Sequence, residues 1–389
     1  MLPNPRQNVI DWPEATPPFL QPTSAPVPAT NPPIIVIEDD PFLRAVALVL
    51  DPATSAERHA AFADFFAHDE PDFDGWCARV RDRAGGLFPA AVRLVDTPQE
   101  LRANLAAAKG LIVESLAVGR EELAAAPALV AVQKYGAIPR NIDAGACAER
   151  GIKILTIRRR ANIACAEVAI ALMLTLAKRL HRLVGRISIE ELAAEGYPYR
   201  PFDRRHTPNS NWARIGGQGM LFGTTLGLIG LGEIGREIAL RAAAFGMRIL
   251  YYQRSRLPEA EERQLQAEYR PLDTLLAESD WVVPQLPVTS ATRHFIDGPR
   301  LARMKEGACL VNIANAELVE RDALIAALRS GRLGGFALDP LYEAPGRADD
   351  ELKSFKNVVL SPHIGGSPRF NALDDIAEMI MDLARAIAP

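Results

Sequence analysis

From residue 34 onward, short apolar runs rich in β-branched residues alternate with stretches whose apolar positions recur every three or four residues. The runs at 34–37, 91–95, 110–113, 129–133 and 152–155 have the length and composition of buried strands. The stretches at 41–50 and 98–108 have helical periodicity. Alternating strand and helix implies a parallel sheet covered on both faces. A longer pattern follows, with Val168, Ala171, Leu172, Leu176 and Leu180 on one face, and predicts a helix over 164–187. Residues 190–219 break the periodicity. They are polar, rich in glycine, proline and arginine, and carry Tyr197, Tyr199, Phe202 and Trp212. A long irregular segment of this kind usually binds something, which makes it a candidate subunit-contact arm, the alternative being a surface excursion. A strand at 225–229, a helix at 234–244 and a strand at 247–252 then open a second α/β series.

A chain of 389 residues exceeds what one core usually supports, so two α/β domains are expected. Residues 1–33 stand apart, because Pro17, Pro18, Pro32, Pro33 and their neighbours remove backbone donors and preclude a helix or a central strand. Trp12 and Phe19 favour an extended arm lying on a surface over a free tail.

Composition narrows the function. The net charge of −4 lacks the basic stripe of a nucleic-acid binder, and no such partner is expected. Arg158, Arg159 and Arg160, and again Arg204 and Arg205, read as short solvated runs. Cys77, Cys147, Cys165 and Cys309 are scattered, without Cys-x-x-Cys or a histidine at zinc spacing, so no metal site is expected and a reducing compartment fits. The start lacks a basic-then-apolar leader, and the apolar stretch 165–177 is short and contains Glu167, so the expectation is a cytoplasmic protein with no membrane partner. The run I-V-I-E-D-D at 35–40 imitates the first strand of a phosphoacceptor receiver domain. The later aspartate and lysine that such a domain needs would have to be Asp96 and Lys134, at poor spacing; Asp39 and Asp40 read better as caps of the following helix.

The most informative motif is G-L-G-E-I-G, spanning Gly230 to Gly235. It follows a strand and opens a helix inside a βαβ unit, the context in which such a loop binds a dinucleotide. Gly230 permits the tight turn, Gly232 lets the backbone approach a pyrophosphate, and Gly235 allows close helix packing. Glu233 and Ile234 begin the helix, whose amides face the phosphates. At the end of the next strand, where an acid would accept the ribose hydroxyls of NAD, the chain has Gln253, followed by Arg254 and Ser255. An uncharged residue beside an arginine suits a 2′-phosphate, which favours NADP(H) and leaves NAD(H) possible.

With these residues in place the chain resembles the D-isomer-specific 2-hydroxyacid dehydrogenases from about residue 34 to its end. Five ordered stretches carry the likeness: G-L-I-G-L-G-E-I-G-R-E, S-D-W-V-V-P-Q-L-P-V-T-S-A-T-R-H-F-I-D, M-K-E-G-A-C-L-V-N-I-A-N-A-E-L-V, G-G-F-A-L-D-P-L-Y-E-A-P and S-P-H-I-G-G-S-P. The resemblance implies two Rossmann- or flavodoxin-like domains with the active site in the cleft between them. The nucleotide domain, 158–360, would be inserted into a substrate domain made of 34–157 and 361–389, and the molecule would be a homodimer. It implies further cofactor contacts at Pro287, Thr292 and Asp339. In that family an arginine holds the substrate carboxylate, a histidine gives the proton to the carbonyl oxygen, and a glutamate supports the histidine. His363 matches the histidine. The arginine position is Asn315, followed by Ala316, and the glutamate position, five residues after Asp339, is Ala344. Glu343 could substitute if its loop shifts by one residue. The substrate loop departs as well, with Ile138 and Arg140 where a glycine and an aspartate are usual, so Arg140 becomes the candidate replacement cation and would shape a pocket with Asn315.

The expectation is an NAD(P)-dependent oxidoreductase acting on a hydroxy or oxo acid or a related carbonyl compound. The altered positions keep two alternatives open: changed chemistry on the same scaffold, or a dinucleotide-binding sensor without turnover.

Overall fold

The structure, a computed structural model, describes residues 32–387, so the expected arm around Trp12 and Phe19 lies outside the described residues. Two parallel sheets organise the chain. The first has the order β2-β1-β3-β4-β5, from β1 (Ile34–Glu38), β2 (Ala91–Val95), β3 (Ala108–Val113), β4 (Ala131–Lys134) and β5 (Lys153–Leu155). Its central strands are mainly apolar because both faces are covered, whereas the edge strands carry Arg93 and Lys153. Ile35 and Ile37 point into one core with Leu48, Trp76 and Leu383, while Val36 points into the other with Leu101, Leu111 and Leu123. The last described helix, Phe370–Ile387, returns to this first sheet and seats Ile376, Ile380 and Leu383 in its core.

The second sheet has the order β12-β11-β10-β9-β6-β7-β8. Its strands are β6 (Thr225–Ile229), β7 (Arg248–Tyr252), β8 (Ala267–Tyr269), β9 (Trp281–Pro284), β10 (Cys309–Asn312), β11 (Gly335–Leu338) and β12 (Val358–Leu360). The helices Arg160–Lys178 and Glu233–Ala244 pack on it through Ala169, Met173, Ile238 and Ala242. Strand order reverses between β6 and β9 here, and between β1 and β3 in the first sheet. Such reversals leave crevices at the carboxyl ends of strands, where ligands of open α/β sheets bind.

The helix expected over 164–187 instead runs Arg160–Lys178 and stops where Arg179 turns left-handed, at φ 57°. A bulky residue holds that conformation because it is tied down: its backbone N–H closes on Leu176 O, and its Nη1 donates to Tyr197 Oη at 2.9 Å. The irregular stretch 190–219 contains part of one helix, Ile189–Ala194, begun by a capping box between Ser188 and Glu191. The helix expected to reach residue 108 ends at Asn104, because Ala108 is already paired with Ile34 in the sheet. Helices Ala56–Phe66 and Phe73–Ala84, capped by Ser55 and Asp72, carry no strong periodic signal and were not anticipated.

Arg160–Lys178 is the one helix among the described residues long and apolar enough to cross a membrane; here its apolar side packs into the second core. Neither Asp39 nor Asp40 caps the first helix, Arg44–Leu50, whose N-cap is Leu43: Asp40 holds the turn before it, accepting from Phe42 N at 2.8 Å and Leu43 N at 3.1 Å, while Asp39 pairs with Arg44.

Candidate active site

The loop after β6 is shaped for a ligand. Gly230 adopts φ 98°, and a Cβ there would collide with the carbonyl oxygen of Gln285. A Cβ on Gly235 would lie 2.5 Å from Gly230 O, so only glycine lets the helix Glu233–Ala244 begin against the turn. Gly232 is different. It caps that helix at φ −75°, and a Cβ there would meet nothing within 4 Å. No protein contact calls for glycine at this position, whereas a pyrophosphate approaching the backbone does. Beside it, Gln285 Nε2 is buried without a partner at the end of β9. An open approach over Gly232, amides at a helix start and an orphaned donor fit a dinucleotide. The backbone of Gly232, Glu233 and Ile234 would hold its phosphates. When bound, the nicotinamide supplies the hydride.

At the end of β7 the side chain of Gln253 bridges Leu231 N, at 3.4 Å, and Ser255 O, at 2.6 Å. Arg256 is committed: it grips Glu262 with two contacts of 2.8 Å, and Tyr251 Oη adds a third at 2.7 Å. The arginine is the main reason the Glu262 carboxyl titrates at about 2. Arg254 and Ser255 stay exposed, and no ion pair engages Arg254 among the described residues. Arg140 borders the same hollow of about 440 Å³ with Gln253, Arg254 and Ser255. The turn closed by Ile142 N on Pro139 O carries Arg140 there, toward the ribose end of the nucleotide loop. Asn315 is not among the residues that border this hollow. Thr292 donates to Pro287 O at 2.5 Å and accepts from Thr289 N at 2.8 Å, so its hydroxyl locks the turn after β9.

His363 sits on an exposed loop at φ 57°, and Asp339 builds that loop. Asp339 is 1% exposed; its carboxylate accepts from Ser361 Oγ at 2.7 Å and from Ile364 N and Gly365 N at 2.8 Å each, while His363 N donates to Asp339 O. Asp339 thus supports the histidine loop from below. Asn315 caps the short turn that follows it, accepting from Glu317 N at 2.9 Å, and its Nδ2 makes no hydrogen bond among the described residues. Glu343 is exposed, with no hydrogen bond or ion pair to His363 among the described residues. Its neighbour Tyr342 ties this loop down, its Oη donating to Val319 O at 2.9 Å. His363 therefore has no carboxylate partner here.

Across the cleft, Glu233 reaches from the nucleotide helix to the loop after β4. Its Oε1 accepts from Ala137 N at 2.8 Å and Ile138 N at 3.2 Å, and its Oε2 accepts from Asn162 Nδ2 at 2.7 Å. Gly136, at φ 151°, leaves room for that carboxylate; a Cβ there would lie 2.9 Å from Glu233 Cδ. The arginine triplet, expected as a solvated run, is instead the hinge of the site, because three charges at the start of an apolar helix face the domain boundary. Arg158 forks onto Glu237 at 2.5 and 2.7 Å. Arg160 binds the fully buried Asp375 through its backbone N–H, at 3.1 and 3.0 Å, and its Nη1, at 2.8 Å. Arg159 lies over the Tyr135 ring, 3.9 Å from the centroid, with its Nε buried and unpartnered. Arg159, Asn162, Asp375 and Gln285 were not anticipated as part of the site; an arginine triplet directly before an apolar helix was the available signal. The second arginine run does stay at the surface, with Arg205 paired to Asp203.

Two parallel α/β domains, a dinucleotide loop and a histidine at the cleft define a nicotinamide-dependent oxidoreductase acting at a CH–OH carbon. The family description "D-isomer specific 2-hydroxyacid dehydrogenase, NAD binding domain" matches residues 199–365. A glyoxylate reductase from Thermococcus gammatolerans is 40% identical over 255 residues, which cover 66% of this chain and 72% of the relative. A hydroxypyruvate reductase from Thermotoga maritima is 36% identical over 58% of this chain and 67% of its own. The fold is shared with the PH0520 protein from Pyrococcus horikoshii, at TM-score 0.53 and 24% identity over 91% of this chain and 90% of that one. It is shared equally with the apo form of Rhodotorula graminis D-mandelate dehydrogenase, at TM-score 0.51 and 24% identity over 90% and 93%. The chain belongs to the D-isomer specific 2-hydroxyacid dehydrogenase family.

Proposed function

We propose that the protein moves hydride between NADP(H) and the carbonyl carbon of a small 2-oxo acid or a related carbonyl compound, with the imidazole of His363 giving the proton to the carbonyl oxygen. The observation that carries this is the loop locked by Asp339: three donors to one buried carboxylate hold an exposed imidazole at the cleft. The relatives that reduce glyoxylate and hydroxypyruvate support the same reading. Imidazole suits a proton donor because it changes charge near neutral pH. Asn315, uncharged and with a spare Nδ2–H, can donate to the carbonyl but cannot fork onto a carboxylate. NADPH oxidation with glyoxylate, hydroxypyruvate, pyruvate and glycolaldehyde tests the proposal. His363→Gln should lower turnover roughly a hundredfold or more while leaving NADPH affinity unchanged; an undiminished rate would exclude His363 as the acid.

The cofactor preference rests on Gln253 in the acid position and on Arg254 and Arg140 bordering one hollow. Arg254→Ala should erase most of a tenfold to hundredfold preference for NADPH over NADH, about the worth of one charge-assisted contact. Equal dissociation constants in the unaltered protein would remove the argument. A second reading, binding without turnover, is favoured by Ala344 and by the unpaired Glu343; tight NADPH binding with no oxidation of the whole panel would support it.

Exposed Val184, Ile187, Met220 and Phe222 flank the helix Arg160–Lys178 and favour a homodimer formed through 180–222. A monomer in sedimentation experiments would exclude it. The four unpaired thiols, three of them pushed up by burial to about 11 at Cys77 and Cys165 and about 12 at Cys309, suit a reducing cytoplasm.

A further inference from the structure

A site that acts on oxo acids needs a cation for the carboxylate, and position 315 supplies none. The structure holds a carboxylate elsewhere in the cleft. Glu233 rests on the amides of Ala137 and Ile138 and on Asn162 Nδ2, at 2.8, 3.2 and 2.7 Å. The two amides come from the loop after β4 of the first sheet, while Asn162 and Glu233 sit on the two helices packed on the second. Gly136 provides the room for it. The same cavity of about 190 Å³ is bordered by Arg159. Its two neighbours in the triplet are held by Glu237 and Asp375, so Arg159 is the arginine of the three with no ion pair among the described residues. Its guanidinium lies over the Tyr135 ring, and its Nε is buried without a hydrogen-bond partner among the described residues. The groups around it are Glu114, which has Lys134 nearby, Asp375, which has Arg160, and the buried thiol of Cys165. Cys165 in turn lies against Gly365 of the histidine loop, its Sγ 3.6 Å from where a Cβ would stand, so this cation and His363 share one end of the cleft.

We propose that Arg159, with Asn162 and the amides of Ala137 and Ile138, receives the carboxylate of the substrate in place of the arginine absent at Asn315, and that Glu233 is the resident carboxylate which the substrate displaces. The assignment rests on the oxidoreductase reading for its purpose, but its binding step is measurable without turnover. Glu233 also stands at the first position of the nucleotide helix, beside the place of a pyrophosphate, so bound cofactor repels it and helps to vacate the cradle.

The probe is oxamate, an unreactive carboxylate of the right size, titrated by calorimetry into the full-length protein saturated with NADP⁺. Arg159→Met keeps the stem over Tyr135 and removes the charge; it should weaken oxamate and raise the KM for glyoxylate by about tenfold to a hundredfold, with a distinctly smaller loss toward the uncharged glycolaldehyde. Arg159→Lys should recover part of the loss. Glu233→Gln should tighten oxamate several-fold by weakening the competitor. Unaltered oxamate affinity in Arg159→Met, equal losses toward glyoxylate and glycolaldehyde, or no oxamate binding by the unaltered protein would each overturn the proposal. Oxamate binding that depends on Arg159 in a protein without turnover would uphold it while rejecting the reductase reading.

Discussion

Asp375 offers a test in which charge and hydrogen bonding give opposite answers. It is fully buried in the last described helix and accepts three contacts of 2.8 to 3.1 Å from Arg160, one residue after Arg159. Burial is the largest influence on its carboxyl and raises the pKa, with Arg160 recovering only part of the shift. The folded protein therefore tolerates the neutral form better than water does. Asp375→Asn keeps an oxygen for Arg160 N and removes a charge whose desolvation is costly, so stability at pH 7 should change by no more than about 1 kcal/mol. Asp375→Ala removes the acceptor as well. It strands a backbone N–H, worth about 1–3 kcal/mol, takes an anion from a helix start, worth about 0.3–1 kcal/mol, and leaves a hole. A loss of about 3 kcal/mol is expected, with Arg160 still tied to Glu378 at 2.8 Å. Because the folded pKa is raised, the advantage of the unaltered protein over Asp375→Asn is fullest below the ordinary aspartate range near 4. It declines as pH rises through that range to the folded value. Urea midpoints followed by circular dichroism from pH 4 to 8 measure both effects. If Asn were as damaging as Ala at pH 7, or if the gap to Asn widened with pH, the charge itself would be stabilising and the reasoning would fail. Since Asp375 also fixes the backbone that carries Arg159, the Ala variant should lose oxamate affinity too.

Three further outcomes follow from the geometry. Gly235→Ala gains about 1 kcal/mol of helix propensity, yet its Cβ would lie 2.5 Å from Gly230 O; the turn must open, and NADPH affinity by fluorescence titration should fall more than about tenfold. The Glu262 carboxyl, held at about 2 chiefly by Arg256, contributes stability that is present above the ordinary glutamate range and lost as pH falls from 4.5 toward 2. Arg256→Ala should therefore flatten that acid limb in pH-dependent melting, and an unchanged limb would show that the pair is inert. Tyr342→Phe removes the bond to Val319 O that pins the loop before Glu343; if register is what excludes Glu343 from catalysis, the variant should gain rather than lose reductase activity, by up to several-fold.

Much of this molecule could be read from local pattern. The strand 91–95, the strand 225–229 and the dinucleotide loop were legible because apolar period, glycine spacing and turn chemistry act within a few residues. The departures at Asn315 and Ala344 were legible too, being single positions in ordered motifs. The end of the long helix at Arg179 was not, since a left-handed arginine is held by Tyr197, 18 residues away. Nor were the roles of the arginines. Arg158, Arg159 and Arg160 are alike as sequence and face Glu237, Tyr135 and Asp375 in the fold, so one is neutralised by the nucleotide helix, one by a helix 215 residues later, and one has no ion pair among the described residues. That Arg140 borders a hollow with Gln253 and Arg254 likewise depends on the path of one turn. Local sequence determined most of the strands and the cofactor loop. Which of several identical side chains faces an empty site depends on partners brought together by the folded sheets, and only the tertiary structure decided it.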